Sequence, residues 1–434
     1  MLLQSRRKEG RWDLEAAETA LRAGMHRAAS AALIQLLQFS PPTEAQYSMP
    51  CRCGHQARYK EQRCKTVLTI VGLVTVVRPY YLCSHCHEGQ FPADLELDIV
   101  HTEFSPGVRR MQALVGQQSS FDQGRQELQL LAGIDVTTKA VERTAEAIGA
   151  DIARSDQNEI DRAIQLQLPL ETGSRVPILY ILMDGTGVPV RKSETEGRTG
   201  KNPGQPARTR EVKLGCVFTQ TGLDEKGRPA RDPNSTTYVG AIETAEQFGK
   251  RRYVEAWKRG WSQADKKVVI GDGAEWIWNL ADQHFPGAVQ IVDLFHARQH
   301  LWDVARALHP LDQPAQQRWI LRHQPKLDSG QIEKLTAYLE TQLAGATVAQ
   351  QEVIRVESAY FDKNKDRMRY PDFRAQGLFI GSGVIEAGCK TLIGSRLKQS
   401  GMFWSVAGAN SIIALRCCQM NNRFEDYWEQ RRAA

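Results

Sequence analysis

Two aspartates, Asp184 and Asp272, each follow an apolar run and are followed directly by a glycine. A carboxylate in an apolar strand is costly to bury unless it meets a cation or hydrogen-bond donors, and a neighbouring glycine lets a ligand or another backbone approach closely. If the two runs form adjacent strands, both carboxylates can bind one metal ion. The alternative is that each is an Asp-Gly turn at a strand end; the occurrence of two, each closing an apolar strand, favours the metal site.

Two divalent sites need a third acid, because Mg²⁺ prefers oxygen ligands in octahedral geometry. Glu386, in the segment GSGVIEAGCK, is the best candidate, and its alternative role is that of a first-turn glutamate stabilised by the helix dipole. Asp293 competes with it and is followed three residues later by His296. We interpret Asp293 and His296 as accessory residues beside the active site, which orient a ligand or touch DNA. The predicted catalytic residues and Mg²⁺ ligands are Asp184, Asp272 and Glu386.

Four cysteines form two close pairs, Cys51 with Cys53 and Cys83 with Cys86, on either side of a β-rich stretch. Two thiolate pairs on hairpin-like turns are the ligand set of a zinc ribbon. We therefore predict a structural Zn²⁺ bound by these four residues. Two alternatives remain, cysteines without a metal and a site in which another residue replaces a cysteine; the candidate substitutes are His55, His85, His87 and Cys64. Four further cysteines lie in apolar or helical surroundings and are predicted to be core residues: Cys216, Cys389, Cys417 and Cys418.

Basic residues near the acids predict a surface for DNA phosphates, where each contact adds salt dependence. One group lies in the Gly- and Pro-rich loop 191–213, which is equally compatible with a solvated loop without function. A second group follows Glu386 at spacings that roughly share one helical face. The candidate DNA-binding residues are Arg191, Lys192, Arg198, Lys201, Arg208, Arg210, Lys390, Arg396 and Lys398. Arg78 in the β-rich stretch is a further candidate, and Trp404 is predicted to be a core residue or to stack on a displaced base.

The elements that must position these residues follow one another in an informative order. From Val176 the chain has three strand candidates, then alternating helices and strands up to a helix near His296. This is the order of a ribonuclease H-like α/β domain, in which the strands carrying Asp184 and Asp272 lie side by side. Residues 311–375 interrupt it with a helical, polar segment that has no strand signal.

Composition shifts divide the remainder of the chain. We expect an N-terminal helical arm (1–45), a zinc-ribbon-like β domain (46–100), a helical region that resembles a helix-turn-helix (101–170), the first part of a ribonuclease H-like core (171–310), an all-helical insertion (311–376) and the C-terminal helices of the core (377–434). The arm is expected to pack on its own domain or on a second subunit. In the helix-turn-helix, Gly133 marks the turn and Thr137 with Thr138 the start of the second helix.

The bulk composition is that of an ordinary soluble globular protein, with 434 residues, 41% hydrophobic and 24% charged. A net charge of +6 permits a nucleic-acid partner without requiring one. Nine cysteines in a chain of this length do not indicate a disulfide scaffold. No window approaches the roughly 20 apolar residues that span a bilayer, so we expect a cytoplasmic protein without a membrane partner.

Four motifs in order, MDGTG, GDGAEW, VDLFHA and GSGVIEAGCKTLIGSRLKQSGMFWS, resemble those of the DDE transposases of bacterial insertion sequences. The similarity is greatest to the Kra-type group, which is related to the Mutator-like transposases, and it spans most of the chain. The resemblance implies that Asp184, Asp272 and Glu386 form the catalytic triad and that a helical insertion separates the last two. An Asp-x-x-His motif between those acids is typical of the Mutator-like branch, which agrees with an accessory role for Asp293 and His296.

The implied activity is in-line attack on a DNA phosphodiester with two Mg²⁺ or Mn²⁺ ions, one activating water or a DNA 3′-hydroxyl and the other stabilising the leaving oxygen. The implied partners are transposon ends and target DNA, on which the chain forms a homo-oligomer. One alternative is a domesticated, catalytically inactive DNA-binding protein of the same fold. Another is a glycoside hydrolase with paired carboxylates, which Trp276 and Trp278 favour slightly and the cysteine pairs and basic loop oppose.

Overall fold

The computed structural model of the chain describes residues 7–8, 11–167, 175–200 and 204–431. Contacts divide the chain into two units, residues 1–148 with 424–434 and residues 149–423. The structure is a mixed α/β arrangement, in which each unit has its own sheet.

In the first unit, a long hairpin forms the centre of a four-stranded antiparallel sheet. Its β-branched residues alternate between the two faces, so that Val74 and Val76 are buried while their neighbours point outward. Gly72 makes the turn with a φ of +112°, a conformation that favours glycine. The elements of this unit, in chain order, are β1 (Arg7–Lys8), β2 (Arg11–Trp12), α1 (Leu14–Leu36), β3 (Ser48–Pro50), β4 (Gln56–Thr69), β5 (Gly72–Cys83), β6 (Gly89–Gln90), α2 (Pro92–Glu96), α3 (Pro106–Gln118), α4 (Phe121–Glu127) and α5 (Thr138–Ile164), the last of which continues into the second unit.

Helix ends in this region follow local sequence signals. Ser105 caps α3 by accepting a hydrogen bond from the Val108 amide, and Pro106 occupies the first turn. Gly133, with a φ of +67°, ends the turn of π-helix that follows α4, and α5 begins at Thr138. The positions of the turn and of the second helix agree with the helix-turn-helix prediction, whose DNA-binding role stays a prediction.

The second unit is built on a five-stranded sheet with the order β11-β8-β7-β12-β13. The strands β7, β8 and β11 pair antiparallel, and β12 pairs parallel with both β7 and β13. Residues Leu179 to Met183 of β7 are buried on both faces, as expected for a central strand covered on both sides. The strands are β7 (Val176–Pro189), β8 (Thr209–Gln220), β9 (Gly222–Leu223), β10 (Pro229–Ala230), β11 (Thr237–Ala241), β12 (Ala264–Gly271) and β13 (Val289–Val292).

Helices surround this sheet, and several of them form the segment of the chain between Asp272 and Glu386. They are α6 (Ala245–Lys258), α7 (Glu275–His284), α8 (Leu294–Leu308), α9 (Gln313–Asp328), α10 (Ile332–Gln342), α11 (Val348–Asn364), α12 (Tyr370–Ala375), α13 (Gly383–Gly388), α14 (Ser395–Leu397) and α15 (Val406–Met420), and α16 (Phe424–Gln430) then returns to the first unit. Residues 311–375, predicted to be helical, contain α9 to α12 without a strand. No helix among the described residues is both long and apolar enough to cross a membrane.

Gly149 tests the packing of α5 on α15 within the second unit. A Cβ at this position would overlap the carbonyl oxygen of Ser411, which belongs to the backbone and cannot rotate away. We expect Gly149→Ala to lower the free energy of unfolding by about 1–3 kcal/mol, because overpacking outweighs the gain in helix propensity. Gly345→Ala is the control, because a Cβ there meets nothing within 4 Å, and its effect should stay within about 0.5 kcal/mol. Chemical denaturation measures both, and a Gly149→Ala protein as stable as wild type would contradict the proposed contact.

Candidate active site and metal centre

Three aspartates lie at the same level of three adjacent parallel strands. The register of β12 on β7 pairs Ile270 with Leu182, so two residues further along Asp272 lies opposite Asp184. The register of β12 on β13 pairs Gly271 with Val292, so the next residue places Asp293 beside Asp272. The sequence expectation that the strands of Asp184 and Asp272 are neighbours is met by this sheet order.

Asp184 is half-buried and has donors on both carboxylate oxygens. Its Oδ1 accepts a hydrogen bond of 2.7 Å from the Gly185 amide, and its Oδ2 accepts one of 3.3 Å from the Cys389 thiol. Burial raises the pKa of Asp184 above its usual value, and the charge of Asp272 raises it further, while the hydrogen bonds and His296 act in the opposite direction. A charged Asp184 is therefore destabilised where it lies, and a divalent cation between the two carboxylates would relieve that cost.

Asp272 is fixed by the turn that follows it. Its Oδ1 accepts a hydrogen bond of 2.9 Å from the Ala274 amide, and its backbone carbonyl accepts one of 2.9 Å from the Tyr360 hydroxyl of α11. Gly273 has a φ of +100°, and a Cβ there would lie 2.5 Å from the Tyr360 ring. The positive φ and the close Tyr360 ring both require a glycine at this position. The Asp272–Gly273 pair therefore forms the turn and also lets α11 pack closely against it.

Asp293 differs from the other two because it is almost fully buried, at 1% exposure. It caps α8, with its Oδ1 accepting a hydrogen bond of 2.5 Å from the His296 amide, and its Oδ2 accepts from the Ser382 amide. Backbone donors therefore occupy both oxygens. This arrangement suits a residue that positions its neighbours better than one that holds an exchangeable ion.

Glu386 is exposed on α13, which packs on β7 and β8. The Ser382 hydroxyl donates to its Oε1 at 3.3 Å, and Cys389, three residues later on the same helical side, contacts Asp184. The helix that carries Glu386 therefore lies beside the strand of Asp184. Among the described residues, the oxygens of Asp184, Asp272 and Glu386 do not all lie within 4.8 Å of one another. In this conformation the three acids therefore do not form a single compact ligand group.

Three residues that the sequence did not single out for this site contact the acids: Ser382, Cys389 and Tyr360. The first two stand four residues before and three residues after Glu386, a helical spacing that was available as a signal. Cys389, predicted to be a core residue, is instead only partly buried. Burial and the charge of Asp184 both raise its pKa, so that it stays a neutral donor. Tyr360 lies in the helical segment and carried no local signal.

The predicted basic residues divide by exposure. Six are exposed, one is half-buried, one is buried and one, Lys201, lies outside the described residues; the exposed ones are Arg191, Lys192, Arg198, Arg208, Lys390 and Lys398. The Lys398 ammonium donates to the hydroxyl of Thr186, two residues beyond Asp184 on β7, so it reaches the edge of the acid site. The half-buried Arg210 donates to the Glu194 carbonyl at 3.2 Å.

Arg396 and two other candidate nucleic-acid contacts have buried positions. Arg396 has 0% exposure and lies over the Trp404 ring at 4.9 Å. Trp404 is itself buried, which confirms the core interpretation. In the first unit, Arg78 is buried in an ion pair with Asp94. Since a phosphate contact needs an accessible guanidinium, Arg396 and Arg78 do not suit one in this conformation.

The aromatic residues near Asp272 do not form an exposed platform. Trp278 is buried at 3% exposure, and Trp276 packs edge-on against Phe248, with the Lys213 ammonium 5.0 Å from its ring centroid. A sugar-binding site usually needs open aromatic faces, so these contacts give no support to a glycoside hydrolase.

The predicted zinc ligands converge beside the long hairpin of the first unit. Sγ of Cys51 lies 3.5 Å from that of Cys86, and Sγ of Cys53 lies 3.6 Å from that of Cys83. All four sulfur atoms lie within 4.8 Å of one another. A hydrogen bond from the Cys86 amide is the main cause that lowers the pKa of Cys83 to about 6, which favours its thiolate, whereas burial and the neighbouring thiols raise the pKa values of Cys53 and Cys86. The four cysteines can therefore hold a tetrahedral Zn²⁺.

Two of the four predicted substitutes, His55 and His85, lie beside this site. The rings of His55 and His85 stack with centroids 3.7 Å apart, and His55 Nδ1 lies 3.6 Å from Cys53 Sγ. These three residues form a second possible ligand group that shares Cys53. Cys64 is exposed on β4 and belongs to neither group.

One family comparison covers most of the chain. The sequence model of a family described as an uncharacterised protein family (UPF0236) matches residues 52–431. No curated protein matches the chain. The matched range includes all three predicted catalytic acids and three of the four clustered cysteines.

We expect Asp184→Asn to stabilise the metal-free protein at neutral pH. The pKa of Asp184 is raised in the folded state, chiefly by burial. The free-energy cost of burying the charged carboxylate is absent at a pH below 3.8, the pKa of the group in the unfolded chain. It is fully present once the pH exceeds the pKa of the group in the folded protein. Denaturation midpoints in chelator should therefore be higher for the variant at pH 7, and the difference should shrink near pH 4.

The control for this prediction is Asp282→Asn, which changes an exposed acid on α7 and should alter stability by no more than about 0.5 kcal/mol. Mg²⁺ should raise the denaturation midpoint of wild type more than that of Asp184→Asn, since the amide is a poor ligand. A variant that is less stable than wild type in chelator at pH 7 would show that the charge of Asp184 is not the cost described.

We expect Cys53→Ser to lower the zinc content by one ion per chain, because a serine hydroxyl does not replace a thiolate at this site. Cys64→Ser is the matched control and should leave the zinc content unchanged. Elemental analysis of the purified proteins measures both. Equal zinc content in the two variants would argue against the four-cysteine site.

Proposed function

We propose that this chain, which belongs to the uncharacterised protein family UPF0236, is a metal-dependent DNA transposase of the DDE type. The observation that carries the proposal is the register that brings Asp184 and Asp272 to one level of two adjacent parallel strands. The sheet order, with three antiparallel strands followed by two parallel ones, is the order expected of a ribonuclease H-like domain, and we infer that fold. The sequence motifs that resemble DDE transposases coincide with these positions.

In this proposal, Asp184, Asp272 and Glu386 would together hold two Mg²⁺ or Mn²⁺ ions. The residues fit such ions, since they supply oxygen ligands and one of them has a pKa raised by burial and by a like charge. Two bound ions would supply activation of the attacking hydroxyl and stabilisation of the leaving oxygen. The protein's own part is to hold three acids, distant in sequence, in the required geometry.

Neighbouring residues supply that positioning. Asp293 joins the start of α8 to the Ser382 amide, and the Ser382 hydroxyl then donates to Glu386. The Leu294 amide donates to the Ile380 carbonyl at 3.0 Å and fixes the same turn to α8. We propose that Asp293 acts through these contacts as a positioning residue, and that His296 lies beside the acids.

DNA would approach the acids along the exposed basic residues. Lys398 reaches the edge of the site through Thr186, and Lys390 is exposed four residues after Glu386. The exposed arginines and lysine of the loop after β7 would add phosphate contacts that depend on salt. The zinc-binding hairpin and the helices α4 and α5 are the proposed recognition elements of the first unit.

A homo-oligomer on DNA is part of the proposal. The helix α1 buries none of its residues within the described part of the chain, and it exposes Leu14, Leu21, Met25 and Leu36. Exposed apolar side chains on one helix are typical of a surface that another copy covers. A second copy of the chain is the partner that a transposase would provide when it brings two DNA ends together.

We expect Asp184→Asn, Asp272→Asn and Glu386→Gln each to reduce DNA cleavage and strand transfer on the order of 1,000-fold, because each loses several kcal/mol of charge stabilisation. Since the acids act together, double variants should be about as inactive as the single ones. The assay combines the purified protein, DNA from both sides of its gene, a supercoiled target plasmid, and Mg²⁺ or Mn²⁺. Cleaved and joined products are separated on gels.

Glu275→Gln is the matched control, since it removes a carboxylate three residues from Asp272 that is 71% exposed and 3.4 Å from Lys363. It should keep wild-type activity within about twofold, as for a surface substitution. Equal product from wild type and Asp184→Asn would refute the assignment. A wild-type protein that binds this DNA without cleaving it would instead support the inactive DNA-binding alternative.

A further inference from the structure

A further group of metal-ligating side chains lies between α8 and α11, apart from the acid site and from the cysteine cluster. His300 and Asp303 are three residues apart on α8, and Glu357 faces them from α11. Their ligand atoms all lie within 4.8 Å of one another. The three residues come from two helices between which α9 and α10 lie in the sequence, so only tertiary packing brings them together.

The distances and exposures of these side chains suit a cation. His300 Nδ1 lies 2.7 Å from a carboxylate oxygen of Glu357. Two ligands at about 2.1 Å from one ion lie about 3.0–3.4 Å apart, so a bound ion would require a small movement of these atoms. The Glu357 side chain is 10% exposed, that of His300 26% and that of Asp303 48%. The group is therefore closed on the Glu357 side and open to solvent at Asp303, which gives an ion a path of entry.

The His300 ring is held in one orientation by its neighbours. It stacks on Tyr360 with ring centroids 3.7 Å apart and an interplanar angle of 19°, and it meets His296 edge-on at 5.0 Å. Contacts that fix a histidine ring reduce the entropy lost when the ring binds a metal. Tyr360 also donates to the backbone carbonyl of Asp272, so the group is linked to one of the catalytic acids through a single side chain.

We propose that His300, Asp303 and Glu357 form a binding site for a transition-metal dication of the Zn²⁺ type. One imidazole nitrogen and two carboxylate oxygens favour such an ion over Mg²⁺ or Ca²⁺, which prefer an all-oxygen set. The ion joins α11, and with it Tyr360, to the helix that follows β13. The site is separate from the four cysteines and from the proposed catalytic acids, and the inference does not depend on the proposed transposase activity.

The opposing interpretation is that His300 and Glu357 form only a hydrogen-bonded pair that holds the two helices together. Asp303 separates the two interpretations. It takes no part in the His300–Glu357 hydrogen bond, and its ion-pair partner is the nearby Arg306 of the same helix. Asp303→Asn therefore removes a metal ligand and leaves the hydrogen bond between the helices in place.

The test measures zinc in the full-length protein after dialysis, by elemental analysis, for wild type and for Asp303→Asn, His300→Gln and Glu357→Gln. We expect each of these variants to hold one zinc ion per chain fewer than wild type. A titration of the dialysed proteins with Zn²⁺ against a chromophoric chelator should show an affinity about 100-fold weaker at this site, since loss of a ligand costs at least as much as loss of its outer partner. Glu352→Gln, an exposed acid of the same α11, is the matched control and should keep the wild-type zinc content.

Thermal unfolding provides a second measurement, in which the unfolding temperature of each protein with Zn²⁺ is compared with that of the same protein without Zn²⁺. Added Zn²⁺ should raise the unfolding temperature of wild type and of Glu352→Gln more than that of Asp303→Asn, because an ion that binds only the folded state stabilises it. The proposal is overturned if Asp303→Asn retains the zinc content and the zinc response of wild type, whatever His300→Gln and Glu357→Gln do.

Discussion

The placement of partly or fully buried carboxylates at the ends of adjacent parallel strands is the constraint on which the acid site depends. The strand register leaves Asp184, Asp272 and Asp293 no freedom to separate along the sheet. Burial is the main cause that raises the pKa of Asp184, and the charge of Asp272 raises it further. Each of the three acids is surrounded by a different set of donors, and those sets determine what each acid can do.

Asp293 and Asp184 differ in how hydrogen-bond donors stabilise their negative charge. Backbone amides donate to both oxygens of Asp293, which stabilises its charge and uses it to join α8 to the turn before Glu386. Asp184 receives one amide and one thiol, and the thiol is a weak donor. The charge of Asp184 is therefore the less fully compensated of the two, so Asp184 gains more from a cation. This difference supports the proposal that Asp184 binds a metal ion and that Asp293 positions its neighbours.

Much of this arrangement follows from local sequence patterns, and some does not. Three local patterns predict the strand or turn in which they lie: the apolar run before Asp184, the glycines beside Asp272, and the two cysteine pairs. They can do so because strands and turns depend on nearby residues. The contacts of Cys389 and Tyr360 with the acids, and the burial of Arg396, depend on which helix faces meet. The spacing of Arg396 from Lys390 and Lys398 is the same whether its side chain points to solvent or to Trp404, so spacing could not reveal that Arg396 is buried.

The helical segment between Asp272 and Glu386 is consequently part of the acid site. Its helix α11 supplies the Tyr360 hydroxyl that holds the Asp272 carbonyl, and the same ring packs closely over Gly273 and stacks on His300. A displacement of α11 would move the Tyr360 hydroxyl away from its acceptor and free the turn after β12. Since that turn sets the direction of the Asp272 side chain, the geometry of the acids depends on how firmly α11 is joined to α8. The buried Glu357 and its partner His300 lie where α11 meets α8. Through this contact the helical segment can affect the geometry of the three acids, although it supplies none of them.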